Sequence, residues 1–109
     1  FSDAVRVGDL LFVSGKLGNV PGTMDLAPGG IQGETRQTME NIKNTVERYG
    51  GSMDRPVKRT VFLADIAEWG AMNEVYKEYF PNNRPARSAL GVSGLALNAR
   101  VEIECIFAL

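Results

Sequence analysis

The sequence predicts a two-layer α+β domain. Three observations carry that prediction. From Val101 to Leu109 every second residue is apolar, the period of a half-buried strand. From Ile31 to Tyr49, and again from Trp69 to Phe80, apolar or small residues return every three or four positions, the period of a helix with one buried face. Gly and Pro fall between these stretches rather than inside them. The resulting order is ββαβαββ, and two helices cannot cover both faces of such a sheet. Both helices are therefore expected on one face.

Each element has its own signal. Ala4 to Val7 and Leu10 to Ser14 read as a hairpin turned at Gly8-Asp9, with Gly15 ending the second strand. Lys16 to Gly30 is a loop rich in Gly and Pro. The first helix buries Ile31, Thr35, Thr38, Met39, Ile42, Thr45, Val46 and Tyr49 and stops at Gly50-Gly51. Val57 to Leu63 is the third strand. Asp65, three residues before Glu68, has the spacing of a capping box for the second helix. That helix is expected to bury Trp69, Met72, Val75, Tyr76 and Tyr79 before Pro81 ends it. Ala86 to Val92 and Arg100 to Ala108 are the last two strands, read as an antiparallel pair turning near Ala96. That register sets Arg87 opposite roughly Ile106, with Arg87 and Glu102 both on the face away from the helices.

Composition narrows the chemistry. The 109 residues make one domain, 1–109, of 44% hydrophobic and 23% charged residues with a net charge of −1. Neither nucleic acid nor an anionic membrane is an expected partner, and no apolar run is long enough to span a bilayer. A cytoplasmic location is expected. The chain has no His, which removes His-based nucleophile activation and most zinc or iron sites, so no metal is expected. Its one Cys, Cys105, lies on the apolar side of the last strand and reads as a core residue. Gly29-Gly30 is not followed by Lys-Ser/Thr and reads as a turn rather than a phosphate loop. The helix-free face, with Ile106, Ala108 and Leu90 or Ala89 beside Glu102 and Glu104, is too apolar to be left wet and is expected to meet another subunit.

Several segments, taken together and in order, resemble one family. They are Val5-Arg6-Val7-Gly8-Asp9-Leu10, Phe12-Val13-Ser14-Gly15, Thr60-Val61-Phe62-Leu63-Ala64-Asp65, Met72-Asn73-Glu74-Val75-Tyr76, Pro85-Ala86-Arg87-Ser88 and Val101-Glu102-Ile103-Glu104. They resemble the Rid family, the reactive-intermediate deaminases also called YjgF-like proteins. The resemblance implies a chorismate-mutase-like fold and a homotrimer whose sheets line a central barrel, with pockets between neighbouring subunits. It implies hydrolysis of 2-imino or 2-enamino acids such as 2-aminoacrylate to 2-oxo acids and ammonia, without a cofactor. Arg87 matches the family's carboxylate-binding Arg, and Glu102 the carboxylate that handles the attacking water. Ser14 and Asn73 match pocket residues that hydrogen-bond the ligand or its water, and Ala89 a position that offers backbone groups to it. Phe1 stands where the family often has Tyr, and Ala89 where it often has Cys. The loop Leu95-Ala96-Leu97-Asn98-Ala99 replaces a usual Pro-Lys or Pro-Gly turn. These departures keep a second reading open, a non-catalytic binder of small carboxylates or other metabolites.

Overall fold

A computed structural model describes residues 1–109. Five strands and two helices follow the expected order: β1 (Ala4–Val7), β2 (Leu10–Lys16), α1 (Gly30–Arg48), β3 (Pro56–Leu63), α2 (Trp69–Tyr76), β4 (Ala86–Gly91) and β5 (Val101–Ala108). The sheet order is β1-β2-β5-β3-β4. Gly8, at φ 59°, makes the tight turn that lets Val7 pair with Leu10. Helix α1 buries threonines in mid-helix by returning their hydroxyls to its own backbone. Thr35 Oγ1 donates to the Ile31 carbonyl and Thr38 Oγ1 to that of Glu34, each at 2.7 Å. The helix ends at Gly50, φ 83°, and the Gly51 N–H donates to the Val46 carbonyl at 2.9 Å.

The core lies between the helices and one face of the sheet. Leu11, Val13, Val61, Leu63, Val101, Ile103, Cys105 and Phe107 meet Ile31, Met39, Ile42 and Val46 of α1 and Met72 and Tyr76 of α2 in one cluster. The inward residues of β3 and β5 alternate strictly, as period two requires. Burial pushes the Cys105 thiol up to about 11, so it packs as a neutral core group.

The structure corrects the expected pairing of the last two strands. β4 and β5 do not form a hairpin. β3 lies between them, antiparallel to β5 and parallel to β4. The cause is the strand–helix–strand unit β3-α2-β4, whose crossover returns the chain in the same direction. Residues 92–100 then carry the chain past the end of β3. Within that crossing loop Leu97 and Asn98 take positive φ, 59° and 56°. Arg87 is paired with Arg59, and Arg59 with Cys105. Arg87 therefore sits on the helix-facing side, whereas Glu102, paired with Phe62, is on the other. The two were expected to share a face, and they do not.

Three smaller boundaries also move. β2 continues through Gly15 to Lys16 across a register shift after Val13. α2 is shorter than expected, with 3₁₀ turns before it at Ile66–Glu68 and after it at Lys77–Tyr79. Asp65 Oδ1 accepts from the Ala67 N–H at 2.9 Å, but Glu68 turns to Arg100 Nη1, 2.9 Å away, so only half of the capping box forms. Trp69 is 40% exposed instead of buried.

Arg59 is the most demanding residue of this fold. It is wholly buried, and its Nη1 donates to Cys105 Sγ at 2.6 Å. Its guanidinium carbon lies 4.5 Å from the Phe80 ring centroid and 4.7 Å from that of Phe107. Nε and Nη2 have no partner. Desolvation lowers its pKa, opposed by the nearby Cys105 and Tyr76 groups. A buried, half-satisfied charge costs more than an apolar group of similar volume. Arg59→Met should therefore raise unfolding stability by about 1–3 kcal/mol. Urea unfolding tests this, and a loss of stability would show that the two aromatic contacts outweigh desolvation.

Candidate functional site

The sequence-derived residues fall into two groups at different places on the sheet. The first is built on Arg87. Asn73, on α2, accepts a hydrogen bond from Arg87 Nη1 at 2.6 Å. The guanidinium carbon is 5.2 Å from the Trp69 ring centroid and 4.8 Å from that of Tyr76. Two aromatic faces and one amide thus hold a planar cation in a fixed attitude. Trp69, Asn73 and Tyr76 are spaced three and four residues apart, so α2 presents all three on one side. Ala89, two residues along β4, is partly buried against the core. A cavity of about 280 Å³ opens here, lined by Asn73, Tyr76, Lys77, Phe80, Arg84, Pro85 and Arg87.

The second group is built on Glu102. It lies on the helix-free face of β5 and packs against Gly15 of β2. A Cβ at Gly15 would overlap the Glu102 carboxylate where it lies, so a side chain there would make Glu102 shift. Burial raises the Glu102 pKa, and the charge of Glu104 raises it further. Ser14 precedes this glycine, and its hydroxyl donates to the Ser2 carbonyl. A second cavity of about 280 Å³, lined by Ser14, Lys58, Thr60, Glu104, Phe12 and neighbouring residues, lies on the same face. Phe1 is fully exposed and touches neither group.

The chain therefore joins Arg87 with Asn73, and Glu102 with the Ser14-Gly15 bend, but does not join the two pairs. Cys105 and Arg87 lie two strands apart, and Glu102 is three residues from Cys105 along β5. At about 4.8 Å per strand and 3.4 Å per residue, Arg87 and Glu102 start roughly 14 Å apart, on opposite faces. Sequence reasoning missed Arg59 and the aromatic faces on Arg87. Arg59 shares the inward parity of Val61 and Leu63, a signal present in the sequence. Tyr76 and Trp69 were read as core residues only.

The raised Glu102 pKa has a consequence for stability. A carboxyl that binds its proton more tightly when folded favours folding fully below its unfolded value, here 4.5, and loses that contribution as pH rises through the folded value. Gln carries no charge at any pH. The stability of Glu102→Gln relative to the natural chain should therefore increase from about pH 4 to about pH 7. Urea unfolding at both pH values measures it, and a constant difference would contradict the desolvation of Glu102.

Comparison with known proteins agrees with this architecture. The family model described as Endoribonuclease L-PSP matches residues 1–109. The rat protein named 2-iminobutanoate/2-iminopropanoate deaminase is 42% identical over 106 residues, covering 97% of this chain and 77% of its own length. The Arabidopsis thaliana chloroplastic protein named Reactive Intermediate Deaminase A is 39% identical over 97% of this chain, and the chain spans only 57% of that relative. Among solved structures, RidA from an Antarctic Psychrobacter bacterium superposes with a TM-score of 0.94 at 38% identity, covering 100% of this chain and 88% of that one. E. coli TdcF with bound serine superposes with a TM-score of 0.93 at 32% identity, covering 100% and 87%. With the family model matched from end to end and deaminases of this kind near 40% identity, the chain belongs to the Rid family, the group that the Endoribonuclease L-PSP model describes.

Proposed function

We propose that the protein is a hydrolytic deaminase of 2-imino and 2-enamino acids, 2-aminoacrylate among them, working in the cytoplasm as a homotrimer around a central barrel. The observation that carries the reading is Arg87, a guanidinium fixed by Trp69, Tyr76 and Asn73 in the lining of a cavity. A planar guanidinium held in place binds a carboxylate through two parallel hydrogen bonds. The relatives named as deaminases support it.

The chemistry asks little of the protein. Water adds across the C=N bond of the imine, and the tetrahedral adduct expels ammonia to leave a 2-oxo acid. Arg87 orients the substrate through its carboxylate. Glu102, its pKa raised by burial and by the charge of Glu104, takes a proton from the attacking water and returns one to the departing nitrogen. Ser14 and Asn73 hold water or ligand, and backbone groups at Ala89 line the carboxylate subsite. No step calls for a metal or cofactor.

The assembly supplies what one chain lacks. The helix-free face exposes Val5 (53%), Val7 (61%), Phe12 (41%) and Leu90 (42%). Such a surface calls for a partner. Because Arg87 faces the helices, a copy packed face to face would not bring it near, but β4 is an edge strand, and a copy seated with its β4 edge against this face would bring its Arg87 group toward Glu102.

Ammonia and 2-oxo acid release from a freshly generated imine tests the activity directly. Arg87→Ala should weaken substrate binding about 30- to 1000-fold, and Arg87→Lys should restore only part of it. Unchanged turnover in either variant refutes the assignment. Saturable oxo-acid binding without any ammonia release would instead identify a carboxylate binder.

Shared sites have their own test. Arg87→Ala and Glu102→Gln subunits are dissociated, mixed and reassembled. Activity should rise above both parents, because some interfaces regain both groups. Mixed assemblies no more active than the parents would place each site within one chain.

A further inference from the structure

The cavity beside Arg87 holds more positive charge than one carboxylate needs. Three of its seven lining residues are cations, Lys77, Arg84 and Arg87, and none is an acid. Lys77 is partnered at the surface by Glu74, 3.1 Å away. Arg87 is held by Asn73. Arg84, in the segment before β4, has neither an ion pair nor a side-chain hydrogen bond, although it shares the cavity with Arg87 three residues on.

A fourth cation lies beneath. Arg59 is buried against the ring of Phe80, one wall of the cavity, with Nε and Nη2 unpartnered. The hydroxyl of Tyr76, another wall, is also buried without a partner. Coulomb attraction to both Arg59 and Arg87 opposes the rise that burial produces in the Tyr76 pKa, so this phenol lies within the field of both guanidinium groups. Charge on a buried group is poorly screened by salt, so Arg59 adds to the potential felt in the cavity above it.

We propose that this site prefers 2-imino acids whose side chain ends in a second carboxylate, with the α-carboxylate on Arg87 and the distal one on Arg84. The proposal rests on the deaminase reading and refines it. The hydrolysis is unchanged: water adds to C=N, ammonia leaves, and the product is a 2-oxo diacid. A substrate of this class is formed by two-electron oxidation of an acidic α-amino acid at its Cα–N bond, the electrons passing to the cofactor of the oxidase or dehydrogenase that makes it. This protein would act directly after such an enzyme.

The test generates two imines in place, one from an acidic and one from a neutral amino acid, each with its own oxidase. The kcat/KM ratio of acidic to neutral imine is measured for the natural protein, Arg84→Gln and Arg84→Glu. Calorimetric titration with the corresponding 2-oxo diacid and 2-oxo monoacid runs in parallel. The natural protein should favour the diacid in both assays. Arg84→Gln should lower the ratio about tenfold, the worth of one charge-assisted contact, and Arg84→Glu should lower it further. Arg84 is exposed in the segment before β4, so these variants keep the fold. A natural ratio near one, or a ratio that Arg84 does not change, overturns the proposal while leaving the deaminase intact. Failure to hydrolyse either imine overturns the deaminase reading instead, and the oxo-acid titrations then still report whether Arg84 selects a second carboxylate.

Discussion

The rest of the structure depends on where β3 runs. It lies between β5 and β4, and its register with both decides which side chains share a face. Arg59 faces inward because Val61 and Leu63 do. Arg87 faces inward because β4 is parallel to β3 and level with it. The same register sends Glu102 outward opposite Phe62. A slip of β3 by one residue would turn Arg59, Val61 and Leu63 to the other face together. The α2 crossover fixes β4 beside β3 and also delivers Trp69, Asn73 and Tyr76 to the guanidinium. One supersecondary unit, β3-α2-β4, thus builds the half of the site proposed to bind the anion.

That half is organised before any ligand arrives. An arginine free in solvent loses considerable side-chain entropy on pinning a carboxylate. Arg87 has lost much of that freedom already, between two rings and an amide. Arg59 contributes differently. It touches no solvent, and its two unpartnered nitrogens are a standing cost to the fold. In the proposed site it would supply field in exchange: a fixed positive charge behind the aromatic walls, where water cannot damp it. This is a stability–function conflict of the kind expected near binding sites.

The sequence made the order of elements legible, along with the single core and the termination of α1 at Gly50. All three are local or periodic signals. The placement of β4 was not read correctly, because pairing between strands is a long-range choice. The strand–helix–strand pattern already favoured a parallel neighbour, yet closeness in sequence made a β4-β5 hairpin look simpler. From that one error followed the wrong face for Arg87. At the site itself, Arg87 and Glu102 stood out as charges on otherwise apolar strands, but their specific roles, and Asn73 altogether, were visible only through a family resemblance. Trp69 illustrates the limit of periodicity: its spacing fits the buried face of α2, but α2 begins at that residue, and the ring faces a cation instead of the core. Arg59 was readable by parity alone, as the odd cation among inward positions of β3.

The separation of Arg87 from Glu102 connects the apolar face to the chemistry. In the proposed reaction Glu102 exchanges protons with water, and in the single chain burial beside Gly15 and the charge of Glu104 already raise its pKa. Covering the helix-free face with another copy would remove more water from Glu102 and push its pKa further the same way. A bare Arg87 from that copy would oppose the shift. In the proposed reaction a bound α-carboxylate would neutralise Arg87, and the opposing charge would be largely lost. Glu102 would then be most basic when an imino acid is in place and least basic when the site is empty. In the proposed assembly, the surface that holds the copies together and the carboxylate that activates water are tuned by the same desolvation.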